Sequence, residues 1–255
     1  MSVFVLVFLL SLSALAAAEK GGELSGLDIM VGVDERPIPE DMRSEMSMDL
    51  INKRGETRHR GVRVFRQGDE KQIMWFLDPA DVKGSSFLRI EHEDGSSDMW
   101  LYLPAFDKIR RIVASAKKEN FMGSDFTYDD MSTRRIEDYT YRRLKDEAWG
   151  SFECYVVESL PKKGVNAEYT RVLSWVWKDS LIPVKEEYYD NLGELKKIRR
   201  LSEIEKIKGY WTAQIMTMED VQKEHRTEIV FKDIEIDTGI DDGVFDTRYL
   251  KRIVE

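Results

Sequence analysis

Apolar and polar residues alternate along most of this chain, and turn-forming residues separate the alternating stretches. Residues 57–66 and 71–77 are two such stretches, joined by Gln67-Gly68-Asp69-Glu70. Alternation turns successive side chains to opposite faces of a strand, and Gly-containing loops between strands are typical of antiparallel hairpins. The pattern continues as far as residues 226–237. It predicts a mainly β protein of about eleven or twelve strands, with no long stretch of helical periodicity.

Two segments interrupt the alternation. Residues 26–33 are predicted to form a short helix that ends before Arg36-Pro37-Ile38-Pro39, where the prolines disfavour helix. Residues 115–133 form a non-strand insert between two predicted strands. So many antiparallel strands must close into a barrel, split into a sandwich or curl strongly. No linker-like boundary interrupts them, so residues 19–255 are expected to form a single domain.

The N-terminus is typical of a secretory signal peptide. Residues 3–18 are apolar, Ala16-Ala17-Ala18 offers a cleavage site of small residues, and Glu19 and Lys20 follow at once. No Lys or Arg precedes the apolar run, which is unusual for such a peptide. The run is shorter than the ~20 residues that a membrane-spanning helix needs, so a permanent anchor is the weaker alternative. We therefore expect residues 1–18 to be removed and the mature protein to be exported.

The composition excludes several classes of function. The formal net charge of −9 argues against nucleic acid as a partner, because phosphate binding needs a basic surface. The sequence contains no G-x-S-x-G, G-x-G-x-x-G or G-x-x-x-x-G-K-[ST], the motifs of common nucleophile elbows and phosphate-binding loops. His59, His92 and His225 lack the spacing of zinc ligands. We therefore expect neither an enzyme nor a cofactor.

Two remaining candidates have simple structural explanations. Cys154 is the only cysteine and lies in a strand-like stretch, which favours a buried core residue over a nucleophile. Asp125, Asp129 and Asp130 invite a calcium site. Their spacing departs from the known loop pattern, so a solvated, capped turn is the better interpretation.

Large apolar residues are concentrated on the predicted strands. Filling the core is the simplest role for any one of them. A barrel-like sheet of more than about eight strands can, however, enclose a ligand cavity, and an apolar cavity suits an acyl chain. The candidate lining residues are Phe65, Trp75, Leu77, Phe87, Trp100, Tyr102, Leu103, Ile109, Trp175 and Trp177.

Three stretches resemble the outer membrane lipoprotein-sorting proteins, which are relatives of the LolA and LolB lipoprotein carriers. They are WFLDPADVKGSSFL at 75–88, WLYLPAFDKIRRI at 100–112 and FMGSDFTYDDM at 121–131. The resemblance implies a curved, incomplete antiparallel barrel, lined with hydrophobic residues and covered by short helices. It also implies a periplasmic location and, as in many members, association with an RND-type (MMPL-like) lipid exporter.

Within this resemblance, residues 121–131 are the candidate lid. The lid candidates are Phe121, Met122, Phe126, Tyr128 and Met131, and the basic candidates for the cavity rim are Lys108, Arg110 and Arg111. The basic residues could meet a lipid head group or an acidic partner, or they could simply form a solvated edge.

The sequence therefore predicts a periplasmic carrier that binds acyl chains of lipoproteins or lipids and moves them toward the outer membrane. One alternative is an accessory subunit of an RND/MMPL-type exporter that carries no lipid. A lipid hydrolase is the weakest alternative, because no pair of nucleophile and base can be assembled from the motifs.

Overall fold

The computed structural model describes residues 23–254, and one antiparallel sheet of fourteen strands dominates them. The signal peptide predicted for residues 1–18 lies outside the described residues. The strands are β1 Asp41–Ile51, β2 Thr57–Gln67, β3 Lys71–Asp78, β4 Ser86–Glu91, β5 Ser97–Leu103, β6 Lys108–Arg111, β7 Tyr139–Arg143, β8 Glu147–Trp149, β9 Phe152–Pro161, β10 Arg171–Trp177, β11 Pro183–Tyr189, β12 Leu195–Ile207, β13 Tyr210–Asp220 and β14 His225–Ile236.

Most strands pair with the strand that precedes or follows them in the sequence. The spatial order is β6-β5-β4-β3-β2-β1-β14-β13-β12-β11-β10-β9-β7, and β8 pairs with β9. Strands β1 and β14 meet in the middle of the sheet, with Met46 opposite Phe231. Strands β6 and β7 are the outer strands of this order, and the sheet is not closed into a barrel.

This architecture confirms the predicted incomplete antiparallel barrel. The strand count of fourteen exceeds the prediction, partly because β8 has only three residues. A strand that short shows too little alternation to be recognised in the sequence.

One α-helix, α1 (Gly26–Asp34), precedes the sheet, close to the predicted residues 26–33. Ser25 caps it: the Ser25 hydroxyl accepts a hydrogen bond from the Asp28 amide, and the Asp28 carboxylate accepts one from the Ser25 amide. Ile29 packs against Val157 and Val176, which fixes the helix on strands β9 and β10. Within residues 23–254, the structure has no helix that combines the length and apolarity needed to cross a membrane.

The two faces of the sheet bury different residues. We call the face that carries Met46, Met48 and Phe87 the inner face, and the opposite face, which carries Trp75 and Leu88, the outer face. Over strands β2 to β5, the outer face is covered by residues 240–254, which include the 3₁₀ helices Asp242–Val244 and Thr247–Lys251.

The inner face is covered by residues 113–137, which we call the connecting segment. It runs from β6 to β7 and thus joins the two outer strands of the sheet. The segment contains four short 3₁₀ helices, Ala114–Ala116, Phe121–Gly123, Asp129–Met131 and the start of Ile136–Asp138. It includes the non-strand insert predicted for residues 115–133.

Candidate functional site

A cavity of about 510 Å³ lies between the inner face, helix α1 and the connecting segment. Pockets that bind small molecules usually have volumes of about 300–1,000 Å³. The side chains around this cavity come from β1–β4 on one side and from β7, β9 and β11–β14 on the other. Since both halves of the sheet face the same space, the sheet curls around it.

Methionine is the most frequent residue in the apolar part of the cavity wall. Eight of the chain's 11 methionines border the cavity: Met30, Met42, Met46, Met48, Met74, Met131, Met216 and Met218. Methionine has three rotatable bonds and a polarizable sulfur, so a wall built from it adapts to ligands of different shape. The pairs Met46/Met48 and Met216/Met218 show the period of two that directs both members inward. This M-x-M spacing was the available sequence signal, and the sequence analysis missed it.

None of the ten residues predicted to line the cavity borders it. Four of them, Phe65, Trp75, Trp100 and Tyr102, belong to the outer-face cluster beneath residues 240–254. The indole Nε1 of Trp75 donates a hydrogen bond to the Tyr249 carbonyl at 2.9 Å. Leu77 follows Trp75 by two positions and so has the same orientation on β3. The physical reason is that neighbouring strand residues point to opposite faces, whereas the prediction assigned both faces to one cavity.

The other five predicted residues are distributed over three environments. Phe87 and Leu103 belong to the inner-face core. Ile109 is exposed on β6. Trp175 and Trp177 pack in a cluster with the buried Cys154. These side chains serve packing, which was the simpler role considered for each of them.

The five lid candidates lie together over the inner face. Phe121, Phe126 and Tyr128 are buried, while Met122 and Met131 are half-buried against the same core. The ring of Phe121 lies 5.0 Å from that of Phe87 and 5.6 Å from that of Tyr128, both edge to face. Three of the five, Phe121, Phe126 and Met131, border the cavity.

Side chains tie the connecting segment to the sheet. The Asp125 carboxylate accepts a hydrogen bond of 2.7 Å from the Thr227 hydroxyl and lies 2.7 Å from Nδ1 of His225. The Asp130 carboxylate lies 3.1 Å from Nζ of Lys197 and accepts a hydrogen bond of 3.0 Å from the Tyr169 hydroxyl. Among the described residues, no backbone–backbone hydrogen bond joins residues 113–137 to a strand.

These contacts also account for the three aspartates of the connecting segment. Asp125 and Asp130 face protein donors on the sheet, which corrects the interpretation of a solvated turn. Burial, followed by the nearby charge of Asp130, raises the pKa of Asp129 above its usual range. Within residues 23–254 no group of three or more His, Cys, Asp or Glu residues is arranged to hold a metal ion.

The polar part of the cavity wall includes five arginines, and the sequence analysis missed all of them. They are Arg36, Arg66, Arg89, Arg134 and Arg199. Arg66, Arg89 and Arg199 lie on strands, where a charge ordinarily indicates a solvated face, so only inward parity could have revealed these three. Arg199, for example, lies two residues before the inward-facing Leu201.

A buried glutamate joins two of these arginines. The Glu186 carboxylate accepts hydrogen bonds from Arg134 at 2.7 Å, from Ser174 at 3.0 Å and from Tyr188 at 2.6 Å, and lies 2.6 Å from Nη2 of Arg199. Burial alone would raise the pKa of Glu186, but the charges of Arg134 and Arg199 outweigh it and hold the pKa far below its usual range. Glu186 is therefore ionised inside the protein.

The basic residues predicted for the rim lie on β6. Lys108, Arg110 and Arg111 are all exposed there, and none borders the cavity. Arg111 forms an ion pair with Asp98 of the neighbouring strand β5. Charged residues of this kind protect an outer strand from pairing with other chains.

The remaining reactive side chains are separated from one another. Cys154 is buried, and burial raises the pKa of its thiol to about 11, so the thiol stays protonated at neutral pH. His59 lies 2.7 Å from Asp49, and His92 lies 3.1 Å from Asp98, each in an exposed pair on the sheet.

Comparison with known proteins places this geometry among characterised folds. Residues 68–252 match the model of a protein family described as uncharacterized proteins, and no curated protein matches the sequence significantly. A domain described as an outer membrane lipoprotein-sorting protein domain, from Vibrio parahaemolyticus, is 33% identical with a TM-score of 0.83, and the match covers 89% of this chain and 98% of that one.

Two further solved structures are similar. A DUF1329 family protein from Desulfovibrio piger is 31% identical with a TM-score of 0.82, over 88% of this chain and 97% of that one. A LolA superfamily protein from Nitrosomonas europaea is 20% identical with a TM-score of 0.69, over 89% of this chain and all of that one, and shares the fold.

Proposed function

This chain belongs to the family of outer membrane lipoprotein-sorting proteins, and on that premise we propose that it is a periplasmic carrier of acyl chains. The cavity lined by eight methionines carries the proposal, because such a wall adapts to a flexible apolar ligand. The connecting segment acts as the lid of this cavity. The periplasmic location follows from the signal peptide predicted for residues 1–18.

The mixed lining of the cavity suits reversible binding. Burying an acyl chain contributes about 0.8 kcal/mol per CH₂ group, so complete burial of two or three chains would exceed the useful range of affinity. A wall that alternates methionines with arginines and Glu186 sequesters a chain only partly. A partly sequestered chain can pass to an acceptor at the outer membrane.

The lid is suited to opening. It is held by side-chain contacts at Asp125, Asp130 and Arg134, with no backbone pairing to the strands among the described residues. Lifting it breaks a few polar contacts and exposes the aromatic cluster around Phe121. The acyl chain then reaches the methionine wall directly.

A second function has one observation in its favour. Phe106 and Val113 flank β6 and are 67% and 59% exposed, beside the basic residues Lys108 and Arg110. An exposed apolar patch of this kind is typical of an interaction site. We therefore retain the accessory subunit of an RND/MMPL-type exporter as the alternative, to be tested by capture of the purified transporter.

The test of the carrier is the lipid content of the protein. The mature protein is purified from its host and its bound lipids are identified by mass spectrometry, and a fluorescent fatty-acyl probe is then titrated into delipidated protein. Ala213→Trp fills the cavity and is expected to abolish probe binding, because Ala213 is part of its wall. Ala148→Trp, on the exposed part of β8, is the matched control. A wild-type protein that holds no lipid and rejects the probe would exclude the carrier.

A further inference from the structure

The arginines of the cavity outnumber the carboxylates that pair with them. Arg66 pairs with Asp69 at 2.7 Å, Arg89 pairs with Glu91 at 2.6 Å, and Arg134 and Arg199 share Glu186. Arg36 pairs with no carboxylate among the described residues and donates a hydrogen bond of 2.5 Å to the Val33 carbonyl. Five guanidinium groups therefore face three carboxylates.

These guanidinium groups are close enough to affect one another. Burial lowers the pKa of Arg66, and the charges of Arg89 and Arg36 lower it further, while Asp69 opposes them. Burial likewise lowers the pKa of Arg36; Asp69 opposes it, and the charge of Arg199 lowers the pKa further. The positive charges thus form one continuous group, which is costly to maintain in a partly dehydrated space without a counter-charge.

Two of the arginines also have unused donors. The Nε atoms of Arg66 and Arg89 are buried and have no hydrogen-bond partner among the described residues. Only 3% of Arg89 is exposed, so bulk water does not satisfy its Nε. Buried donors nearly always have an acceptor. These two Nε atoms are therefore free to donate to a ligand that enters the cavity.

The acidic residues of the cavity wall do not neutralise this group. Asp130 is paired with Lys197 at 3.1 Å, and Glu168 is paired with Lys196 at 2.9 Å. Asp130 lies on the connecting segment, and Glu168 is next in sequence to Tyr169, which donates a hydrogen bond to Asp130. Asp129 also lies on the lid, and Asp34, which borders the cavity close to Arg36, is exposed to solvent.

Arg66 and Arg89 lie toward the end of the central strands that is away from the lid anchor, whereas Arg199 is opposite Met218, which is itself opposite Thr227. Arg66 is opposite Met42 near the start of β1, whereas Thr227, which holds the lid, is opposite Leu50 near the end of the same strand. Eight residues of strand separate the two levels, which corresponds to about 26 Å. A ligand whose charged end meets Arg66 and Arg89, and whose apolar end points toward Thr227, fits this arrangement.

From these observations we propose that the arginine group binds the anionic head group of an amphiphilic lipid, with a phosphate as the preferred anion. The inference rests on the proposed function, because it assigns the charged end of a ligand whose chains occupy the methionine-lined part. Arginine offers planar, two-pronged donors that match the oxygens of phosphate, and several of them converge here. A neutral acyl glycerol satisfies none of these donors.

The experiment compares two lipids with the same acyl chains. Phosphatidic acid and neutral diacylglycerol are titrated against the delipidated mature protein by competition with the fluorescent acyl probe. We expect phosphatidic acid to bind about tenfold more tightly or better, as charge-assisted hydrogen bonds require. Arg36→Gln is expected to reduce the ratio of the two affinities, phosphatidic acid over diacylglycerol, toward one without weakening diacylglycerol binding. Arg36→Lys, which keeps the charge, should retain part of the ratio.

Arg43→Gln is the matched control. Arg43 also lies on the sheet next to a carboxylate, 2.7 Å from Glu235, but it does not border the cavity, so the ratio should not change. Equal affinity of the wild-type protein for both lipids, or a ratio that Arg36→Gln leaves intact, overturns the inference while the carrier function stands. Binding of neither lipid overturns both.

Inorganic phosphate distinguishes a lipid head group from a free anion. In excess, it is expected to remove the preference for phosphatidic acid while diacylglycerol still binds. If inorganic phosphate binds and neither lipid does, the site holds a free anion and the assignment to a lipid head group is wrong.

Discussion

Lys197 of β12 and Asp130 of the connecting segment form a buried ion pair, with 3.1 Å between Nζ and the carboxylate and only 1% of the lysine exposed. The Tyr169 hydroxyl donates to the same carboxylate at 3.0 Å. Charges are buried in this way when a partner compensates for the lost hydration. The pair therefore fixes the connecting segment at one defined position on the sheet.

Lys197→Met tests this fixation. The substitution preserves most of the side-chain volume but leaves a buried carboxylate with one donor fewer, and we expect it to lower the free energy of unfolding by about 3 kcal/mol. Cleavage within residues 115–133 by a protease should accelerate as well. Lys232→Met, at an exposed position of β14, should change neither the unfolding curve nor the cleavage rate. Slow cleavage of the Lys197 variant would show that other contacts hold the segment.

Glu186→Gln tests the buried carboxylate between Arg134 and Arg199. The neutral amide leaves both guanidinium groups without their counter-charge, so the expected loss is about 3 kcal/mol at neutral pH. The folded-state pKa of Glu186 lies below its ordinary value of 4.5, so the stabilisation is complete above that value and declines as the pH falls below it.

The difference in unfolding free energy between wild type and Glu186→Gln should therefore be constant from about pH 6 to 8 and narrow below about pH 4.5. Urea denaturation at a series of pH values measures it. Glu235→Gln removes an exposed ion pair with Arg43 and should cost less than about 1 kcal/mol. If the difference in unfolding free energy between wild type and Glu186→Gln widens in acid, Glu186 is not ionised in the folded protein.

Thr227→Val tests the second anchor of the lid. Thr227 is completely buried; its hydroxyl donates to the Asp125 carboxylate at 2.7 Å and accepts from the Asp125 amide at 2.9 Å. The substitution keeps the shape and removes both contacts, which costs about 1–3 kcal/mol. We expect the acyl probe to associate faster, as measured by stopped-flow fluorescence. Thr140→Val, at an exposed position of β7, should leave the association rate unchanged.

Trp75→Phe tests the separation of the two faces. The variant loses the hydrogen bond from the indole to the Tyr249 carbonyl and some packing beneath residues 240–254, so we expect about 1–3 kcal/mol lower stability. Affinity for the acyl probe should not change, because Trp75 does not border the cavity. Equal protein stability together with weaker probe binding would place this tryptophan in the functional wall instead.

The sequence was sufficient to predict most strands and the helix, because each of these elements has a recognisable local pattern of residues. Alternation, turn residues and the prolines at Pro37 and Pro39 are local features, and local features determine where a strand or helix begins and ends. The non-strand insert at residues 115–133 was recognised for the same reason, since it interrupts the alternation. A strand of three residues, such as β8, offers no such pattern.

The wall of the cavity was not predictable from those signals. Alternation shows that Met74 and Trp75 point to opposite faces, but it does not show which face borders the empty space. The C-terminal residues 240–254 decide this, because they cover Trp75 and leave Met74 to the interior. The arginines were not predictable for a similar reason. Arg66 and Arg199 lie on distant strands and border the same cavity only because the sheet curls.

The attachment of residues 113–137 by side chains alone separates two properties that are usually linked. The continuity of the strand ladder determines how durable the whole fold is, whereas a few individual side chains determine how readily the interior is reached. We therefore expect single substitutions at Asp125, Asp130 or their partners to change the rate at which a ligand enters and leaves the cavity, while the strand ladder stays as it is.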